Sequence, residues 1–159
     1  MAMLDSLFRL AYRTAFWLLR SGWYLFRPDH RGVMVAVWVR RCVLMVRPSY
    51  RNVLTLPGGS IDADETPAVA ACRELREETG IAVQPEDLAR AGDIVGWLDY
   101  RHDHVVIFEL RLGAFPALRI DNREIIEAAF MTPETALALP LLPFARDYLE
   151  DEAVPQPVK

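Results

Sequence analysis

The sequence predicts a single mixed α/β domain, and three observations carry that reading. A valine-rich segment alternates from Gly32 with apolar residues on both of its faces. A Pro-Gly-Gly turn at residues 57–59 then leads to a strongly capped helix. Further apolar segments of strand length follow in the second half of the chain. The 159 residues suffice for one domain, and a 52% hydrophobic, 25% charged composition supports a packed core.

In order, Val33, Val35, Val37 and Val39 alternate with Met34, Ala36 and Trp38, the pattern of a strand covered on both sides. Arg40-Arg41 breaks it, and Cys42 to Val46 reads as the hairpin partner. Val53 to Leu56 is expected as a short strand before the glycine turn. Thr66 followed by Pro67 is a capping hydroxyl with Pro at the first helical position. That helix should run to Thr79 and end at Gly80. Ile94 to Tyr100 and Val105 to Leu112 read as strands around a turn at Arg101-His102-Asp103, and Ala128 to Met131 as a last strand. Leu141, Leu142, Ala145, Tyr148 and Leu149 mark a C-terminal helix. The expected organisation is an amphipathic segment at 1–30, a domain at 31–152 and a flexible tail at 153–159.

Charge excludes some functions. The net charge is -4, without the basic excess of a DNA-binding protein. Residues 1–30 carry four Arg and two Asp, whereas the remainder carries 14 basic and 20 acidic residues. Cys42 and Cys72 are too few for a disulfide framework, so a reducing, cytoplasmic address is expected and both read as small buried hydrophobes. Arg9, Arg13 and Arg20 interrupt the apolar run from Leu4 to Phe26, which excludes a membrane span. Asp5 and the lack of a small-residue cleavage site argue against a signal peptide. On a helical wheel Arg9, Arg13, Arg20 and Arg27 form a narrow stripe, with Leu4, Leu7, Phe8, Ala11, Ala15, Leu18 and Leu25 roughly opposite. The expected cover for this apolar stripe is the chain's own domain or a second copy in a homodimer. Peripheral contact with a membrane through residues 1–27 is the less favoured alternative.

The capped helix is chemically unusual. Glu74, Glu77 and Glu78 share one face at i, i+3 and i+4, a repulsive arrangement unless a cation sits among them. Pro67 and Ala70, both short, fall on the same face and would leave room for an ion and a substrate. Oxygen ligands of this kind suit Mg²⁺ or Mn²⁺. From Gly59 the sequence gives five residues, Glu65, seven residues, then Arg73-Glu74-Leu75-Arg76-Glu77-Glu78-Thr79-Gly80-Ile81. These 23 residues match the signature of the Nudix hydrolases at all nine fixed positions, and the chain resembles that family.

The resemblance implies a Nudix-type α/β/α sandwich with a mixed sheet, preceded here by an extra N-terminal helix. It implies divalent-metal-dependent hydrolysis of the pyrophosphate bond in a nucleoside diphosphate linked to another group. By motif position Glu74, Glu77 and Glu78 resemble the metal ligands, with Glu77 and Glu78 also candidates for proton transfer. Arg73 resembles the residue that orients the helix carboxylates, Glu65 a brace, and Gly58 and Gly59 the loop that lets backbone approach the metal. A further acidic residue from a late loop completes the site in many members; Glu124 matches best, Glu127 second, while Glu109 reads as a solvent-facing strand residue. Arg47 and Arg51 are candidate phosphate clamps. Trp97 and Tyr100 are candidates to stack on a base, with a core position the alternative for Trp97. The pair His102 and His104 reads as an ordinary turn sequence rather than a metal site.

The motif leaves the substrate open. The extra patterns of relatives acting on coenzyme A or NADH are missing, and Trp97 stands where many ADP-ribose hydrolases have Pro. A nucleotide sugar or dinucleotide is the expected substrate. The alternatives are a nucleoside triphosphate and the 5′ end of RNA. A rival of another class is a non-catalytic, nucleotide-sensing module held at a membrane.

Overall fold

A computed structural model describes residues 2–153, with side chains from Asp5 to Glu152. Most of the tail expected at 153–159, and the side chain of Leu4, lie outside the described residues. The elements are α1 (Ala2–Phe26), β1 (Asp29–Val39), β2 (Cys42–Pro48), β3 (Gly58–Ser60), α2 (Pro67–Thr79), β4 (Ala89–Leu98), β5 (Arg101–Leu112), β6 (Ile125–Met131), α3 (Pro133–Leu137) and α4 (Pro143–Ala153).

The sheet runs β4-β5-β1-β2-β6. β1 and β5 pair in parallel along their whole lengths, Asp29 opposite His102 through Val39 opposite Leu112, while the other pairs are antiparallel. The alternation in β1 explains its central place. Val33, Val35 and Val37 pack with Ala71 and Leu75 of α2, and Met34, Ala36 and Trp38 pack with Phe144, Ala145 and Tyr148 of α4. Each fully buried Val or Leu contributes roughly 1.5–3 kcal/mol. The result is three layers, as the resemblance implied. One edge of β1 is divided: β2 pairs only with Trp38 and Val39, and β3 pairs with Gly32 to Met34.

Several boundaries differ from the sequence reading. The β4–β5 turn is Asp99-Tyr100, not Arg101-His102-Asp103; both residues have positive φ, 50° and 69°. Hairpins of this kind normally use Asn-Gly, so the sequence carries no turn signal there. Contacts from α1 hold it instead: Arg20 reaches Asp99 at 3.1 Å, and Tyr24 meets Tyr100 edge-on. Val53 to Leu56 makes only isolated bridges at Leu54 and Thr55 rather than a strand. β4 and β6 begin at Ala89 and Ile125, earlier than their apolar alternation suggests. Ala70 is fully buried against the sheet, so it packs in the core and does not line the space beside the carboxylates. Cys42 and Cys72 are half-buried rather than buried. Glu109 does not face solvent: its carboxylate accepts from the Tyr148 hydroxyl at 2.9 Å, on the α4 side of the sheet.

The largest difference concerns α1. This 25-residue helix, about 37 Å long, lies on its own domain through the arginine side rather than the leucine side. Arg9 donates to the Asn122 carbonyl at 2.7 Å, Asp5 pairs with Arg123 at 3.3 Å, and Phe16 stacks on Tyr50. Leu7, Leu18 and Leu25 point outward. No helix among the described residues is long and apolar enough to cross a membrane.

Candidate active site

The site is assembled on α2. Thr66 caps the helix by accepting from the Val69 N–H, and Gly80 closes it in the left-handed conformation. Arg73 then fixes its orientation. The guanidinium makes a two-pronged contact with Glu65 at 2.8 and 2.9 Å, reaches Glu74 at 2.7 Å and donates to the Ser60 carbonyl at 3.0 Å. Arg73 thereby ties the helix both to the acidic loop and to β3, and its hydrogen bonds hold the Glu65 carboxyl below its usual range.

Gly58 and Gly59 explain why the chain needs two glycines here. A Cβ on Gly59 would lie 2.5 Å from the Glu74 carboxylate, and one on Gly58 would lie 2.1 Å from the Val33 carbonyl oxygen. The Gly58 N–H donates to Glu78 at 2.9 Å. Glu78 is only 9% exposed. Burial pushes its carboxyl well above the usual range, and the negative charges of Glu74, Glu124 and Asp121 add to this against the Gly58 hydrogen bond. Glu74 is also raised, by burial and against the pull of Arg73.

Glu124 arrives from the loop before β6. Asp121 organises that loop by accepting from the N–H groups of Arg123, Glu124 and Ile125. Burial raises the Glu124 carboxyl, helped by Glu74, Asp121 and Glu77, while a hydrogen bond from Tyr12 opposes the shift. Glu74, Glu77, Glu78, Asp121 and Glu124 ring a cavity of about 200 Å³ with Tyr12 on its wall. Among the described residues no three of these groups stand close enough to hold one ion as they are. The fit to a metal lies in the donor chemistry: Glu78 and Glu124 are pushed up by burial and by neighbouring negative charge and make no ion pair among the described residues, and a hard divalent cation would supply the positive partner.

A second cavity of about 440 Å³ adjoins the first, sharing Tyr12, Glu78 and Glu124 with it. Phe16, Leu19 and Trp23 of α1 line it, as do Tyr50 and Arg51. On the sheet side His30 is set between Asp103 at 2.6 Å and Ser60 at 2.8 Å, and Arg101 pairs with Asp103 at 2.9 Å. Apart from Arg51, Glu78 and Glu124, these residues were not singled out by sequence. The spacing of Asp5, Arg9, Tyr12, Phe16, Arg20 and Trp23 along one helix side is the signal that would have found the α1 contribution.

The remaining candidates separate. Gly58, Gly59 and Arg51 line the larger cavity, with Arg51 ion-paired to Asp99 and its guanidinium over Phe16. Arg47 is not among the residues lining it; it pairs with Glu127 at 2.7 Å along the β2–β6 ladder, which occupies both residues. Trp97 is 62% exposed and lies against His102, neither in the core nor in the cavity. Tyr100 is at the hairpin turn. His102 and His104 each face a different aspartate, Asp29 and Asp93.

Fold and site define a class: an α/β/α sandwich whose glycine loop and carboxylate helix meet a late acidic loop at one cavity. The sequence model of the NUDIX domain family matches residues 25–151, and the chain belongs to that family. It is 42% identical over 76 residues to an RNA pyrophosphohydrolase of Halorhodospira halophila, a match covering 48% of this chain and 40% of that protein. It is 44% identical over 81 residues to an RNA pyrophosphohydrolase of Xanthomonas campestris pv. campestris, covering 48% of this chain and 35% of that one. The chain thus matches well under half the length of these curated relatives. The crystal structure of a MutT protein from Methanosarcina mazei Go1 superposes with a TM-score of 0.69 at 24% identity, over 82% of this chain and 98% of that one.

Proposed function

We propose that the protein is a metal-dependent pyrophosphohydrolase acting on a small nucleoside diphosphate derivative, a nucleotide sugar or a dinucleotide. One observation carries this reading: the carboxylate-ringed cavity opens into a larger, aromatic-walled one through the shared residues Tyr12, Glu78 and Glu124. The pyrophosphate belongs at that junction, and the nucleoside belongs against Phe16, Tyr50 and Trp23. Glu74, Glu77, Glu78 and Glu124 would hold Mg²⁺ or Mn²⁺, which when bound neutralises pyrophosphate charge and makes a phosphorus electrophilic. The raised carboxyls of Glu78 and Glu124 suit proton acceptance from water near neutral pH. Arg73 positions Glu74 through its ion pair. Gly58 holds Glu78 through its N–H.

A second reading, hydrolysis at the 5′ end of RNA, is favoured by the names of the relatives that are 42% and 44% identical. Against it, α1 walls the cavity and the chain has a net charge of -4.

Incubation with nucleotide sugars, dinucleotides, nucleoside triphosphates and a 5′-triphosphorylated RNA, with products separated by chromatography, distinguishes the readings. Mg²⁺-dependent cleavage of a small diphosphate derivative is expected, lost on chelation. Glu78→Gln should lower kcat by roughly 10²–10⁴-fold with the fold intact. Cleavage of RNA alone would replace the first reading with the second.

A further inference from the structure

α1 is amphipathic the wrong way round for a helix that only covers a core. At about 100° per residue, Asp5, Arg9, Arg13, Arg20 and Arg27 fall within an arc of roughly 80°, and the rest of the circumference carries no charge. Asp5, Arg9 and Arg20 of this arc face the domain. Arg20 reaches Asp99, Arg9 the Asn122 carbonyl, and Asp5 the Arg123 side chain. The outward arc is apolar: Leu7, Leu10, Leu18 and Leu25 are 63%, 60%, 70% and 74% exposed. Its two small polar residues are internally satisfied, because Thr14 and Ser21 donate their hydroxyls to the Leu10 and Trp17 carbonyls, each at 2.9 Å. Such back-bonding lets a hydroxyl enter an apolar medium without losing its partner.

We infer that this outward face seats the protein on the surface of an anionic lipid bilayer, the helix lying flat between membrane and catalytic domain. Three features favour lipid over a second copy. Trp17 and Tyr24 border the apolar arc, with Tyr100 packed on Tyr24, and such amphipathic rings concentrate at membrane–water boundaries. Arg13, at the edge of the charged arc beside Tyr24 and Trp17, and Arg27, just past the end of the helix, are exposed and make no ion pair among the described residues, which leaves both for phosphate headgroups. A second copy would meet the apolar arc but bring only the same unpaired arginines, whereas anionic lipid supplies both the apolar medium and the counter-charge. The helix lies on the bilayer rather than through it, since no helix among the described residues has the length and apolarity to cross. Residues on its inner side line the larger cavity, so the proposed site opens beside the lipid surface.

Sedimentation of the full chain with vesicles tests this. Vesicles of phosphatidylcholine mixed with phosphatidylglycerol should pellet the protein roughly tenfold better than phosphatidylcholine alone. The double variant Leu7→Glu, Leu18→Glu, altered only at outward positions, should stay in the supernatant while keeping its thermal melting temperature. Wild-type protein left in the supernatant with both vesicle types would overturn the inference. So would light scattering that shows a dimer in the absence of lipid, converted to a monomer by the same double variant.

Discussion

Glu124 owes its place to Asp121, whose carboxylate accepts from the backbone of the residues that follow, and to Ser49, whose N–H donates to the Glu124 carbonyl at 2.7 Å. Its side chain is left facing Tyr12 and the α2 carboxylates. Glu127, further along β6, is spent on Arg47, and Glu109 is spent on Tyr148 and Arg111 on the opposite face of the sheet. Glu124→Gln should therefore slow turnover by roughly tenfold or more, within the range of lost acid–base or metal chemistry. Glu127→Gln and Glu109→Gln should leave the rate near wild type. Comparing the three rates at saturating Mg²⁺ checks this, and a sensitive Glu127 would refute the assignment.

At the scale of elements, α2 is a helix carrying more negative charge than its surroundings satisfy. Glu74, Glu78 and Glu124 all have raised carboxyls, chiefly through burial. Between the ordinary carboxyl value and these raised ones the folded chain binds more protons than the unfolded chain. Stability contributed by these groups is thus present at low pH and lost as pH rises through the raised values. Metal-free protein should melt at a higher temperature at mildly acidic pH than at neutral pH. Added Mg²⁺ should raise the melting temperature more at the higher pH, because the cation replaces the missing protons. A thermal melt with and without chelator at both pH values checks the sign. The helix itself was legible in sequence, since Thr66-Pro67, the three glutamates and Gly80 are local signals with fixed spacing. The β4–β5 turn was not, because Asp99 and Tyr100 hold positive φ through Arg20 and Tyr24, some eighty residues away. The helical wheel separated the arginines from Leu7, Leu18 and Leu25, but it grouped Phe8 and Ala15 with the leucines, whereas Phe8 lies under Arg123 and Ala15 lines the larger cavity, and it could not say which side the domain takes. Likewise Arg47 and Arg51 look alike in sequence, and only the β2–β6 register commits Arg47 to Glu127.

Across the whole molecule α1 works as a clasp. Its first half grips the loop at 121–124 through Arg9 and Asp5, and its second half grips the β4–β5 turn through Arg20 and Tyr24. Between the two grips it presents Tyr12, Phe16, Leu19 and Trp23 to the larger cavity. A segment outside the Gly59–Ile81 signature therefore shapes the site, and the charge asymmetry of the chain follows the same line: a basic helix lies on an acidic body.

The parallel pairing of β1 with β5 sets a schedule for synthesis. Asp29 pairs with His102, so the central strand leaves the ribosome well before its neighbour exists. At roughly 5–20 residues per second, β1 waits about 4–15 s for its parallel partner, and its Met34, Ala36 and Trp38 face waits longer still for α4. During that interval the preceding helix also lacks its two gripping points, since both lie downstream. Nascent chains stalled before residue 101 should bind chaperones that recognise apolar segments and should be cut readily by protease. Chains extended far enough to expose β5 outside the ribosome should lose both properties together, which pulse-labelled translation with a protease chase would show.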